Sequence, residues 1–140
     1  MVIEHQTFKA EKMLLHHADA SDDLVPQMLK GIRENISVIE FNICGDIIVA
    51  KKNGGIDFMI PVDREFSSNE YFSFKELVML VNAAKLRHYG SFCTIHKSLT
   101  ELNNYIAQKS LTPITPPFIV ERDAPDNAYD IYIGISENIF

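Results

Sequence analysis

Two short runs place an acid among strand-forming residues, Ile56-Asp57-Phe58-Met59-Ile60-Pro61-Val62 and Tyr129-Asp130-Ile131-Tyr132-Ile133-Gly134-Ile135. On an extended chain alternate side chains share a face, so Asp130 and Tyr132 lie together. A carboxylate beside aromatic rings supplies opposite charge and a π face, the pairing that attracts a delocalised cation. Other reactive residue types form no comparable group. His16 and His17 are adjacent and point to opposite sides of a strand, which prevents joint ligation of one ion. His88 sits at the end of a strand-like run, and His96 falls off the apolar stripe of a helix and reads as solvated. No Ser-His-Asp or Cys-His order emerges. Gly54-Gly55 lacks the lysine and spacing of a phosphate loop and reads as a turn. Cys44 and Cys93 have no metal-ligand spacing, and their expected fate is that of small buried hydrophobes with free thiols. No catalytic residue, metal or cofactor is expected.

The 140 residues suit one domain, 1–140, and 46% hydrophobic content suffices for a real core. The net charge of −6 opposes non-specific attraction to nucleic acid or to an anionic membrane surface. No apolar run is long enough to span a bilayer. Without a signal-like N-terminus the chain reads as cytoplasmic.

The elements that must position Asp57 and Asp130 come in two sets. Lys12-Met13-Leu14-Leu15-His16 and Lys85-Leu86-Arg87-His88 are short strand-like runs, each followed by a helical pattern. Val25, Leu29, Ile32 and Ile36 lay down one apolar stripe; Phe92, Ile95, Leu99, Leu102 and Ile106 lay down another. Asp22 and Asp23 suit the first helix's N-terminus, Pro26 belongs in its first turn, and Ser91 caps the second. A pair of strands follows each helix: 46–50 with 56–62 across the hairpin signal Asn53-Gly54-Gly55, and 118–122 with 129–135 across an acidic loop at 123–127. The expected fold is α+β, a duplicated β-α-β-β module with pseudo-twofold symmetry, its antiparallel sheet carrying two main helices. The halves span 1–66 and 83–140, with an extended bridging segment within 67–82. One such module leaves an apolar face bare, and two cover it mutually.

The stretch from Ala84-Lys85-Leu86-Arg87-His88-Tyr89-Gly90-Ser91-Phe92 through Leu102-Asn103-Asn104-Tyr105-Ile106, Pro116-Pro117-Phe118 and Tyr129-Asp130-Ile131-Tyr132-Ile133 resembles the GyrI-like family, the effector-binding domains of bacterial transcription activators. About sixty residues carry the likeness; the first half matches in layout. The resemblance implies the duplicated fold and a cleft at the pseudo-twofold junction that takes small, often aromatic and cationic molecules. It puts Asp130 where the family has a pocket carboxylate, normally Glu, and Tyr132 where it has a pocket aromatic. The family's more central Glu falls near Ile119, which is apolar here; Glu121, two residues on and on the same side, is the candidate substitute, the other reading being a solvated strand-end charge paired with Arg122. Phe118, Tyr89, Tyr71 and Phe92 are candidates to line the cleft, although aromatics at such spacing more often belong to a core.

The function expected from this reading is small-molecule binding by a stand-alone sensor or sequestering protein, monomeric or homodimeric. An interaction module for a protein partner is the second reading. Hydrolysis of a reactive electrophile, which needs a positioned acid such as Glu121, is the third.

Overall fold

A computed structural model describes residues 1–52, 54–122 and 128–136. Strand β1 (Ile3–Ala18) leads through a single 3-10 turn into helix α1 (Val25–Asn35), followed by the hairpin β2 (Ile48–Lys52) and β3 (Gly55–Pro61). The second pass runs β4 (Ser73–Tyr89), another 3-10 turn, α2 (Ile95–Gln108), a two-residue β5 (Thr112–Pro113), β6 (Phe118–Arg122) and β7 (Ala128–Ser136). The sheet is antiparallel, in the order β4-β1-β3-β2-β6-β7-β5, and β7 also pairs with β4, so six strands form a closed circuit.

Local chemistry explains the helices. Pro26 sits in the first turn of α1, where its missing N–H costs nothing. The Ser91 side chain accepts from the Cys93 N–H at 3.1 Å and caps the turn leading into α2. Asp22 stands at the head of the first helical segment and bonds Lys51 Nζ at 2.9 Å. Beyond α1 the chain tightens to 3-10 geometry and stops at Glu40, whose φ is 65°.

The duplication has two offsets. Val25, Leu29, Ile32 and Ile36 recur 70 residues later as Ile95, Leu99, Leu102 and Ile106. The β2–β6 register pairs Ile48 with Val120 and Ala50 with Phe118, pairs that the same 70-residue step exchanges. The approximate twofold axis therefore passes between Val49 and Ile119. It passes likewise between Lys9 and Met79 on β1 and β4, whose flanking pairs Phe8–Leu80 and Ala10–Val78 also exchange. Asp57 and Asp130 are 73 apart, because the residues separating β6 from β7 (123–127) outnumber those separating β2 from β3 (53 and 54) by three. This corrects the sequence alignment of the first strands: Lys12 and Lys85 are not equivalent, and the counterpart of His17 is Arg87, each opposite its half's acid.

Each face of the sheet is buried. Val49, Phe58, Ile60, Ile119, Ile131 and their neighbours pack under the helices, and Met13, Ile48, Met59, Val120 and Tyr132 form a second cluster on the opposite face. The long strands keep one face on that second cluster only by a change of parity. On β1, Phe8 and Ala10 join it before Lys12, and Met13 and Leu15 after; on β4, Val78 and Leu80 join before Asn82, and Ala83 after. Lys12 and Asn82 are 70 apart, and Lys12 makes its shift with a left-handed φ of 51°. The bridging segment expected at 71–81 and the strand expected at 85–88 are one strand, β4, with this irregularity inside it. The acidic loop expected at 123–127, and Asn53 of the hairpin signal, lie outside the described residues.

A left-handed conformation costs a residue with a Cβ about 1–2 kcal/mol and is worst for a β-branched one. Lys12→Gly is thus expected to raise the urea midpoint of unfolding and Lys12→Val to lower it. Equal midpoints for the two variants would show that the parity shift lies elsewhere.

Candidate ligand site

Asp130 is fully buried, 0% exposed. It projects from β7 toward the opposite face, and three cations meet it. Arg87, directly across on β4, donates from Nε at 2.7 Å and from Nη2 at 3.0 Å. Arg122 of β6 donates from Nε at 2.7 Å, and Lys85 Nζ stands 3.7 Å away. Asp57 repeats the pattern in the first half. His17, directly across on β1, lies with Nδ1 2.6 Å from Oδ1, and Lys52 of β2 lies 3.1 Å from Oδ2. Each acid takes one partner from the strand opposite and one from two residues along its other neighbour, at positions 17 and 87 and positions 52 and 122. The sequence reading missed these cations; the recurrence of His17 as Arg87 and Lys52 as Arg122 becomes visible once the 70-residue step is known.

Asp130 and Tyr132 share a face, as the strand spacing predicts, and Phe118 stands directly opposite Tyr132 on β6. Within the chain these groups already have cationic partners: Arg87, Lys85 and Arg122 meet the Asp130 carboxylate, and Arg122 is shared with Asp46 Oδ2 at 2.5 Å. The Tyr132 ring packs on Phe8 at 4.9 Å and lies 5.6 Å from Lys85 Nζ, and its hydroxyl is 3.1 Å from Arg122 Nη2. The hollows on this face are small, about 260 Å³ beside Asp46 and Arg122 and about 190 Å³ beside Asp57 and Phe118.

Glu121 lies on the other face. Its neighbour Ile119 is buried in the cluster beneath the helices, and its own Oε2 stands 2.7 Å from Arg33 Nη2 of α1. The contact is one of charge: Oε2 is shielded from solvent yet has no aligned hydrogen-bond donor among the described residues. Arg33, Ile43, Gly45, Asp46, Ile47 and Glu121 line a crevice of about 500 Å³ at the seam between the halves. Tyr129, buried beside Phe92, is pushed up in pKa by burial and then by the Glu121 charge. The first half has no equivalent acid, because the position 70 residues before Glu121 is Lys51, which is paired with Asp22.

The other candidate residues are dispersed over the chain. Tyr71 and Tyr89 are both 70% exposed. Cys44 and Cys93 are exposed free thiols rather than buried ones, Cys44 in the connection before β2 and Cys93 in the 3-10 turn before α2. His16 and His17 point to opposite sides of β1, and His96 is exposed on α2. His88 is buried, between Ser98 Oγ at 2.7 Å and the Ser91 carbonyl at 3.0 Å. Among the described residues no three His, Cys, Asp or Glu side chains come together to hold a metal ion. No helix among the described residues is long and apolar enough to cross a membrane.

Among solved structures, the EcmrR C-terminal domain overlays the whole chain, with a TM-score of 0.74 at 9% identity, covering 99% of each chain. The chain has the GyrI-like fold. In the EcmrR–DNA complex, where the TM-score is again 0.74, it spans 58% of the longer EcmrR chain. The GyrI-like fold is shared more loosely with a putative bacterial transcription regulation protein from Staphylococcus aureus MU50, TM-score 0.51 at 12% identity over 94% of this chain and 97% of that one. It is shared to the same degree with SAV2435 bound to tetraphenylphosphonium, TM-score 0.50 at 13% identity over 94% and 93%. No family model and no curated protein matches the sequence.

The two acid clusters set the response of this GyrI-like fold to pH. Burial alone raises the Asp130 carboxyl, but hydrogen bonds from Arg87 and Arg122 and the Lys85 charge outweigh it, leaving the pKa lowered to about 2. Asp57 is lowered too, burial being outweighed by His17 and Lys52. His17 is raised, chiefly by its hydrogen bond to Asp57. A carboxyl lowered on folding stabilises fully above its unfolded value of 3.8, and that stability drains as pH falls toward about 2. A histidine raised on folding contributes fully below its unfolded value of 6.5 and loses that contribution as pH rises through its folded value. Asp130→Asn leaves Arg87 and Lys85 facing a neutral group, with Arg122 keeping only Asp46, and is expected to cost about 3–5 kcal/mol. In urea titrations across pH it also flattens the acid limb, whereas His17→Gln removes the loss on the alkaline side and, because His17 helps to lower Asp57, a smaller part of the acid limb. An Asp130→Asn midpoint equal to that of the parent would contradict this assignment.

Proposed function

We propose that the protein binds small aromatic cations in the seam crevice, with Glu121 as counter-charge, and acts as a sensor or sequestering module. The observation that carries this reading is the state of the two acids. Asp130 is held by three cations of its own chain, whereas Glu121 borders a crevice of about 500 Å³ with one partly exposed arginine beside it. A carboxylate that is shielded and lacks aligned donors gains from a cation that displaces Arg33 into solvent. Arg33 is 44% exposed and has room to leave. Ile43 and Ile47 give the crevice its apolar wall beside that acid. Further support comes from the shared fold with SAV2435, which was solved with tetraphenylphosphonium bound.

The chain has no tryptophan, so calorimetry is the suitable readout. Tetraphenylphosphonium is expected to bind saturably, Glu121→Gln to weaken it at least about tenfold, and Arg33→Ala to tighten it, since a charge interaction in a sheltered site is worth on the order of 1.4 kcal/mol or more. Absence of saturable binding, or equal affinity in parent and Glu121→Gln, would refute the reading.

A further inference from the structure

Helix α1 has a second cavity on its other side. About 350 Å³ lies between α1, β1 and β3, walled by Leu14, Met28, Ile32, Ile36, Ile60 and Phe72. No charged side chain lines it among the described residues. Its polar edge is His16, whose Nδ1 is 3.3 Å from the Tyr71 carbonyl. A proton on Nδ1 satisfies that carbonyl and leaves Nε2 as an acceptor. Asn35, the other polar lining residue, spends its amide on the Gly31 carbonyl at 2.8 Å.

We infer that this cavity binds a small neutral aromatic molecule carrying one hydrogen-bond donor, of the size and polarity of a phenol. The volume lies within the range of about 300–1,000 Å³ seen for ligand cavities, and apolar walls whose only polar groups are an imidazole and a carboxamide at one edge select such a compound over an ion. The duplicated module supplies the second argument. Seventy residues after Asn35, on the same face of α2, stands Tyr105, half-buried, its hydroxyl donating to Glu4 Oε2 at 2.5 Å. The second half thus carries, as part of its own chain, a phenol where the first half carries a short amide and a cavity. Gly31 keeps the cavity wall open, because a Cβ built there meets nothing within 4 Å.

The test uses 4-methylphenol as probe on the full chain, with methyl-labelled Met and Ile observed by NMR. Saturable shifts centred on Met28, Ile32 and Ile60 are expected, with toluene binding about three- to tenfold more weakly for want of the hydrogen bond. His16→Phe should narrow that difference. Gly31→Leu and Asn35→Tyr each fill the cavity and should abolish binding while the chain remains folded by its methyl spectrum. Should one variant fail to fold, the other decides. Saturable shifts elsewhere, no saturation, or undiminished binding in a folded cavity-filled variant would overturn the proposal. The probe is neutral and the cavity is separated from Glu121 by α1, so the outcome does not depend on the crevice.

Discussion

A buried carboxylate held by cations from two neighbouring strands is the constraint around which each half is organised. Asp57 ties β3 to β1 and β2; Asp130 ties β7 to β4 and β6. A slip of one residue would send every side chain of a strand to the other face and leave the acid without partners in a dry environment. The gain from such a cluster lies in register more than in net stability, since desolvation offsets much of the Coulomb attraction. Once register is set, the parity shifts at Lys12 and Asn82 let strands of 16 and 17 residues keep one face on each core along their length.

The same constraint separates two acids that look alike in sequence. The charge of Asp130 is answered within the chain. Glu121 lies one sheet face away, at the seam, where duplication breaks down and Lys51 occupies the matching position. The two halves agree where they hold each other together and differ at 51 and 121, and again at 35 and 105.

The order strand, helix, strand, strand was legible because the signals are local and redundant: apolar steps of three and four, Pro26 in a first turn, Ser91 as a cap, glycines at the hairpin. The full length of the long strands was hidden for a physical reason. The shift at Asn82 puts Val78 and Leu80 in one parity and Ala83 in the other, so periodicity reads two short pieces instead of one β4. The sheet faces were equally opaque. Ile119 and Val120 are both buried, on opposite sides, and a strand apolar on both faces does not say which side meets a helix. That Glu121 and Ile119 share a side was readable; that this side is not Asp130's was not. The partners of the acids were invisible at a single offset of 73, because the longer connection between β6 and β7 moves only the last strand.

The most direct test follows the side-chain carboxyl carbons of Asp130 and Glu121 by ¹³C NMR while tetraphenylphosphonium is added. This account expects the Glu121 resonance to move saturably as Arg33 is displaced and the Asp130 resonance to stay in place, held by Arg87 and Arg122. Movement of Asp130 with Glu121 unchanged would contradict it.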